Sequence, residues 1–187
     1  MRLVLAALCL LAAPAALAAP VSYDMQPDTS SVAFETDFGV DKINGSFPLA
    51  SADLTLDFDN AANSTIDVTL DVTGAQASFP FAAQALRGPK VLDAKNHPKM
   101  HFASTKVEAK GDGATVSGNI TIRGVTRPIT LQAGIFLQKG SAAGDHSHLT
   151  VRLTGQVKRS EFGATGWSDL VGDEVRIMID ARIVAKG

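Results

Sequence analysis

The chain has 187 residues and a formal net charge of −2, and 45% of its residues are hydrophobic. This length suffices for one hydrophobic core and favours one domain over two. The slight acidity argues against a nucleic-acid partner, which would require a basic patch.

The first 18 residues have the pattern of a cleavable secretory signal peptide. Arg2 supplies a positive charge, residues 3–11 form an apolar run that precedes Pro14, and Ala16-Leu17-Ala18 provides small residues for cleavage. The run is shorter than the about 20 apolar residues that cross a bilayer. We therefore predict cleavage after Ala18, and a mature domain of residues 19–187 that is not stably inserted in a membrane.

Cleavage would also remove Cys9, the only cysteine of the chain. The mature domain could then form neither a disulfide nor a thiolate site. The loss of Arg2 would change its formal charge to −3. Such a domain has to be stabilised by its core alone.

The rest of the chain alternates apolar and polar residues with a period of two, which predicts strands with one buried face. Turn-forming residues separate the runs, as at Asp59-Asn60, Gly111-Asp112-Gly113 and Gly124-Val125-Thr126. Closely spaced strands of this kind indicate an antiparallel sandwich or barrel. A barrel of about eight strands would also leave no exposed edges. The alternating runs are residues 32–38, 43–49, 52–58, 66–72, 114–122, 129–137, 149–157 and 175–183.

Two segments lack this alternation. Residues 79–86 are rich in alanine and precede Arg87-Gly88-Pro89, whereas residues 159–170 contain the only tryptophan and two glycines. We predict short helical segments near residues 79–94 and 159–170. They would cross or cap the ends of the barrel.

No motif in the sequence supports catalysis or metal binding. His146 and His148 lie in a Gly/Ser/Asp-rich loop without the further ligands that a structural zinc ion needs. Pro98 prevents a helix from aligning His97 with His101. The sequence has no serine-hydrolase elbow, P-loop or dinucleotide fingerprint. We therefore predict a protein that is not an enzyme, with no catalytic residue and no metal.

The apolar residues leave two interpretations open. Phenylalanine has no polar group that needs a partner, so the nine phenylalanines suit either a dry core or a pocket for an apolar ligand. Several phenylalanines, together with other large apolar residues, cluster in or beside the two non-alternating segments, where a barrel would have its mouth. This cluster is Phe79, Phe81, Leu86, Met100, Phe102, Phe162, Trp167 and Leu170.

A series of short motifs, taken in chain order, matches a known family. The motifs are Tyr23-Asp24-Met25, Ser31-Val32-Ala33-Phe34, Gly45-Ser46-Phe47, Leu86-Arg87 with Val91-Leu92-Asp93, His97-Pro98-Lys99-Met100-His101-Phe102, Gly118-Asn119-Ile120-Thr121-Ile122-Arg123-Gly124-Val125-Thr126-Arg127-Pro128-Ile129, Arg159-Ser160-Glu161-Phe162-Gly163 and Val171-Gly172-Asp173-Glu174-Val175. From Tyr23 to Ala185 the chain resembles the YceI-like proteins, which are exported bacterial lipocalin-like domains named for binding polyisoprenoid lipids. It differs at Ser30, where the family commonly has a histidine.

The resemblance implies an all-β, antiparallel lipocalin-like barrel in the periplasm. Its ligand would be a long-chain amphiphilic lipid such as a polyisoprenoid or an isoprenoid quinone, with no other cofactor. Homodimers are compatible with the family, although no apolar stripe in the sequence indicates one.

On this interpretation, the inward residues of the strands line a lipid cavity. Arg159 and Ser160 are candidates for contact with a polar head group at the mouth, and Arg159 is equally compatible with a plain surface charge. The predicted lining is Phe34, Phe38, Phe47, Phe79, Phe81, Leu86, Met100, Phe102, Ile120, Ile122, Leu131, Ile135, Leu153, Trp167, Ile177 and Ile179.

Two alternatives remain at this point. The protein could be an enzyme that acts on an envelope lipid, with His97 or His101 in acid-base catalysis. It could instead be a stress-response interaction module in which the lipid is only structural.

Overall fold

The structure is a computed structural model and describes residues 19–186. The predicted signal peptide and its cleavage site lie outside the described residues. The strands are β1 (Val21–Met25), β2 (Ser31–Phe38), β3 (Asp41–Ser46), β4 (Leu49–Leu56), β5 (Thr65–Asp71), β6 (Gln76–Ala77), β7 (Lys99–Lys110), β8 (Gly113–Ile122), β9 (Val125–Leu137), β10 (His148–Lys158) and β11 (Val171–Ala185). One α-helix, α1 (Pro80–Arg87), and 3₁₀ turns at Pro27–Thr29, Ala61–Asn63 and Arg159–Phe162 complete the described secondary structure.

The strands form one antiparallel sheet that closes into a barrel. Eight strands follow one another around the ring in the order β1-β4-β5-β7-β8-β9-β10-β11, and pairing of β1 with β11 closes it. This confirms the predicted all-β, lipocalin-like antiparallel barrel. Closure satisfies the backbone groups that an open sheet would leave at its edges.

Two of the ring strands are extended past a kink. β1 and β2 both pair with β11 and are separated by the turn that begins at Pro27. β3 pairs with β2, and Phe47-Pro48 separates it from β4. The alternation predicted one strand over residues 43–49, but Pro48 has no N–H to donate and divides it. The two-residue strand β6 pairs with β3 and lengthens the wall on this side.

The two ends of the barrel differ. At one end Tyr23, Leu149, Ala181 and Ile183 form a tightly buried cluster, which we call the closed end. The Tyr23 hydroxyl donates a hydrogen bond to the His146 carbonyl oxygen at 2.9 Å. The loop before β10 is therefore tied across this end.

The other end, the mouth, carries both segments that lack alternation. α1 follows β6 and ends at Arg87, because Gly88-Pro89 cannot continue it. Residues 88–97 continue as hydrogen-bonded turns. After β10, the 3₁₀ turn Arg159–Phe162 leads into further turns that precede β11. The predicted helical segments are thus confirmed as one helix and one 3₁₀ turn, each shorter than the segment that contains it.

Candidate functional site: an apolar cavity in the barrel

A cavity of about 460 Å³ lies inside the barrel. It extends from Phe79, Phe81 and Trp167 at the mouth to Leu56 and Ile183 near the closed end. The atoms that line it are almost entirely apolar. Cavities of about 300–1,000 Å³ are the usual size for a buried small-molecule ligand.

The strand period places the lining. Successive side chains of a strand point to opposite faces, so every second residue faces the barrel interior. On β11, Val175, Ile177 and Ile179 line the cavity, whereas Arg176 and Asp180 lie on the outer face and form ion pairs there. The same rule explains why long alternating runs enclose an apolar space.

At two inward positions that carry glycine, an aromatic ring and a backbone carbonyl oxygen leave no space for a side chain. A Cβ atom on Gly45 would clash with the ring of Phe34 and the Gln76 carbonyl oxygen, and one on Gly118 would lie 2.5 Å from both the ring of Phe102 and the Ala103 carbonyl oxygen. Both phenylalanines line the cavity. The glycines therefore let these rings lie close to the wall.

The mouth is formed by three segments that are remote in sequence. Phe38 ends β2 and lies 6.2 Å from Phe79 between ring centroids, at the start of α1. Leu170 closes the segment after β10, and its carbonyl oxygen accepts a hydrogen bond from the backbone N–H of Gly39 at 3.0 Å. Phe38, Phe79 and Leu170 all border the cavity.

The structure places all but one of the sixteen predicted lining residues on the cavity wall. Ile135 is the exception. It shares the inward face of β9 with Leu131, but it lies further toward the closed end and packs against the cluster of Tyr23, Leu149, Ala181 and Ile183. The structure thus places Ile135 beside the closed end and not among the residues that border the cavity. For the others, contact with a ligand remains a prediction.

The sequence analysis also missed part of the wall. Several further residues of the alternating runs face the same space, and the alternation itself could have identified them. They are Val32, Ile43, Leu54, Leu56, Ile66, Val68, Leu70, Ile129, Val151, Val157, Val175 and Ile183. Ligand-facing and core positions have the same apolar signal, so the pattern alone could not give the extent of the cavity.

Arg159 lies at the cavity wall near the mouth but is committed to the protein itself. Its guanidinium donates hydrogen bonds to the carbonyl oxygens of Ala164, Gly166, Val171 and Gly172, at 2.6 to 2.8 Å. Burial lowers the pKa of Arg159, and the charge of Asp173 opposes that shift. The side chain therefore fixes the turns that precede β11, and four of its five N–H groups are engaged.

Ser160 does not border the cavity. Its backbone N–H and its hydroxyl donate to the two carboxylate oxygens of Asp173, at 2.9 and 2.8 Å. Burial raises the pKa of Asp173, but these bonds and nearby positive charges outweigh it, so the pKa is lowered overall. The arrangement anchors the 3₁₀ turn and argues against the predicted head-group contact of Ser160.

The His101 and His146 side chains each have a partner within the protein. The His101 imidazole pairs with the Asp67 carboxylate at 2.9 Å, and both side chains are exposed. The His146 ring packs on Phe58, with centroids 4.0 Å apart. Within residues 19–186, no group of three or more His, Cys, Asp or Glu side chains is placed to hold a metal ion.

Polar groups near the cavity are satisfied within the protein. Thr36 borders the cavity, and its hydroxyl donates to the Glu174 carbonyl oxygen at 2.9 Å. Across the part of the chain that the structure describes, no buried side-chain nitrogen or oxygen lacks a hydrogen-bond partner. In the same part, no helix is long and apolar enough to span a bilayer. The wall is thus suited to hold an apolar molecule by shape and exclusion of water.

Sequence relatives match the chain over most of its length. A UPF0312 protein of Serratia proteamaculans is 27% identical over 171 residues, which cover 91% of this chain and 88% of that protein. A UPF0312 protein of Yersinia pestis is 28% identical over 168 residues, which cover 89% of this chain and 87% of that protein.

Solved structures share the barrel. Burkholderia cenocepacia BcnA matches with a TM-score of 0.76 at 25% identity, covering 85% of this chain and 99% of that chain. The Campylobacter jejuni YCEI protein matches with a TM-score of 0.61 at 25% identity, covering 76% and 84%. A polyisoprenoid binding domain from Saccharophagus degradans, only 12% identical, shares the fold with a TM-score of 0.63, covering 89% and 99%.

The family assignment follows from a match to a family model. The model of the YceI-like domain matches residues 23–183, which span the barrel from β1 to β11 and include both segments at the mouth. The chain therefore belongs to the YceI-like domain family.

Proposed function

We propose that this protein binds and carries a long-chain amphiphilic lipid, such as a polyisoprenoid or an isoprenoid quinone, in the barrel cavity. The observation that carries the proposal is the apolar cavity of about 460 Å³, open at the mouth and packed shut at the other end. The lipid-binding name of the Saccharophagus degradans domain, which shares the fold, supports the same class of ligand.

The geometry favours one orientation of the ligand. The closed end is filled by Tyr23, Leu149 and Ile183, each no more than 1% exposed, so a bulky polar group cannot leave there. An apolar tail would lie along the barrel, and the head group would remain at the mouth beside Trp167 and Leu170. Each buried methylene contributes about 0.8 kcal/mol, so a tail binds without a polar anchor in the wall.

The proposed place of action is the bacterial periplasm, on the basis of the signal peptide predicted at residues 1–18. Water separates the two membranes there, and a lipid tail needs a shielded cavity to cross it. The proposal is of a binding protein rather than an enzyme. His101 borders the cavity, but its half-exposed imidazole is paired with the Asp67 carboxylate at 2.9 Å.

Native mass spectrometry of the purified protein, followed by organic extraction, tests the proposal. We expect added mass that dissociates on denaturation, and an extract that contains an isoprenoid chain. Protein whose core holds no extractable lipid, and which takes up none when offered a long-chain isoprenoid quinone, would contradict the proposal.

A matched pair of variants on β8 sharpens this test. Ile120→Trp would fill the cavity, because Ile120 borders it, whereas Asn119→Trp adds the same indole to the outer face. Only Ile120→Trp should lose the bound mass. His97→Ala with His101→Ala should leave lipid retention unchanged, whereas loss of turnover of an envelope lipid would favour the enzyme alternative.

A further inference from the structure

The mouth is surrounded by exposed apolar side chains, which we call the rim: Val40, Phe79, Phe81, Trp167 and Leu170. They come from the β2–β3 turn, from the start of α1 and from the segment before β11. Phe81 is 71% exposed and Leu170 57% exposed. Three chain segments that converge with large exposed apolar residues indicate an interaction surface rather than scattered surface residues.

The rim is continuous with the cavity. Phe79, Phe81, Trp167 and Leu170 are exposed on one side and line the cavity on the other. A ligand that enters or leaves the cavity would therefore pass directly over these side chains. Whatever structure contacts the rim would therefore also be the source or the destination of the ligand.

The backbone holds Trp167 in place at an energetic cost. Trp167 has φ of 55°, a left-handed conformation that is unfavourable for a bulky residue. Its carbonyl oxygen accepts hydrogen bonds from the N–H groups of Leu170 and Val171, at 3.0 and 2.8 Å. The Gly166 carbonyl oxygen is held by Arg159. Strain retained in this way is typical of functional sites.

The charge pattern of the rim suits an apolar environment. Residues 74–86, which include the exposed start of α1, contain no charged side chain, and residues 162–168 contain none either. Asp41, Lys42 and Asp169 are the nearest charges along the chain to rim residues, and their signs are mixed. The backbone of Lys90 also bonds to Gly166 beside Trp167, so the charges around the rim are of mixed sign and form no uniformly basic patch for anionic lipids.

We propose that the rim docks reversibly on a lipid bilayer, with its aromatic side chains at the boundary between head groups and acyl chains. The amphipathic ring of tryptophan favours this depth. Docking would join the cavity to the apolar layer, so that a lipid tail moves between them without crossing water. The inference rests on the proposed function for the identity of the cargo, but docking itself can be measured without any cargo.

Trp167 is the only tryptophan of the chain and serves as the probe. The purified protein is titrated with vesicles of phosphatidylcholine, either unmodified or brominated on the acyl chains. We expect a blue shift of the emission and stronger quenching by the brominated lipid. Because hydrophobic burial drives docking, raising the salt concentration or adding anionic lipid should change the partition coefficient by less than about twofold.

A matched pair of double variants locates the contact. Phe81→Ser with Leu170→Ser removes two exposed apolar groups from the rim, whereas Phe136→Ser with Leu137→Ser removes two part-exposed apolar groups from the last residues of β9, far from the mouth. The rim variant should lower the partition coefficient by at least about tenfold. The β9 variant should bind vesicles like the unmodified protein.

Other outcomes would overturn the inference. Equal loss in both double variants, or no quenching by brominated lipid, would exclude docking through the rim. Docking on a bilayer would also be excluded if the rim is buried in a dimer in solution. The same holds if the rim captures a protein partner and the protein does not bind vesicles. Ile120→Trp separates the two proposals when its docking is measured by co-flotation with vesicles, since it adds a second tryptophan: a protein that lacks cargo should still dock, whereas failure of docking alone leaves cargo binding intact.

Discussion

The two ends of the barrel contain the same kinds of side chain but differ in how they are packed. At the closed end, Leu149 is 0% exposed, and Tyr23 both packs against Phe58 and bonds to the loop before β10. At the mouth, Phe81 and Leu170 remain exposed. Apolar residues thus stabilise the fold at one end and present a surface at the other. The difference indicates that access to the cavity is confined to the mouth.

The largest expected effect comes from matched leucine truncations at the two ends. Leu149→Ala leaves a void in a fully packed cluster and should lower the free energy of unfolding by about 2–5 kcal/mol. Leu170→Ala removes an exposed side chain and should change it by less than about 0.5 kcal/mol. Urea unfolding followed by circular dichroism measures both. Equal losses would show that the two ends do not differ in packing.

Arg159 tests whether the mouth is held in place by one side chain. Arg159→Met would leave the four carbonyl oxygens of residues 164, 166, 171 and 172 without their donor. We expect a loss of about 2–3 kcal/mol, together with faster amide exchange over residues 163–171. Arg152→Met, which removes an exposed arginine paired with Asp180, is the control and should cost less than about 1 kcal/mol. Unchanged exchange at the mouth would contradict the assigned role of Arg159.

Tyr23→Phe makes a smaller change at the closed end. It removes the hydroxyl that donates to the His146 carbonyl oxygen but keeps the ring packed against Phe58. We expect a loss of about 1–2 kcal/mol, with amide exchange increased in the loop of residues 138–147 and unchanged at the mouth. Increased exchange at both ends would mean that the ends are coupled.

The smallest expected effect is a dependence of the free energy of unfolding on pH, to which one carboxylate at each end of the barrel contributes. Hydrogen bonds from Asn63 and from the backbone N–H groups of Asn60 and Asp59 lower the pKa of Asp57 near the closed end, although burial opposes them. Asp173 at the mouth also has a lowered pKa. The unfolded chain therefore takes up protons first as the pH falls, so stability present above about pH 4 is lost below it.

Asparagine substitutions separate the two carboxylates. The urea midpoint of the unmodified protein should fall between pH 7 and pH 3. Asp57→Asn and Asp173→Asn should each show a smaller fall, because the group that titrates is gone. An unchanged fall in both variants would assign the acid sensitivity to other carboxylates.

The local pattern predicted the barrel well, because inward and outward positions follow directly from the strand period. Ile135 lies on the predicted face but beyond the cavity, because alternation gives the face of a residue and not its height along the barrel. The sequence did not reveal that Pro48 separates β3 from β4, because apolar and polar residues continue to alternate through residues 43–49. The closure of β1 on β11 joins residues about 160 positions apart, and such long-range pairing has no local signal in one sequence.

The role of Arg159 shows a second limit. Its position in the sequence, between a strand and a glycine-containing turn, was compatible with an exposed charge or a head-group contact. In the structure the guanidinium is directed at backbone carbonyl oxygens, which carry no sequence signal because every residue has one. The anchoring of the mouth could therefore be recognised only from coordinates.

Paramagnetic broadening tests most directly whether a lipid tail lies in the cavity with its head at the mouth. An isoprenoid chain with a nitroxide at the tail end should broaden the methyl resonances of Leu56 and Ile183, which line the deep part of the cavity, more than those of Leu170. A nitroxide on the head group should do the reverse. Equal broadening at both ends, or none at Leu56 and Ile183 with either label, would contradict the account.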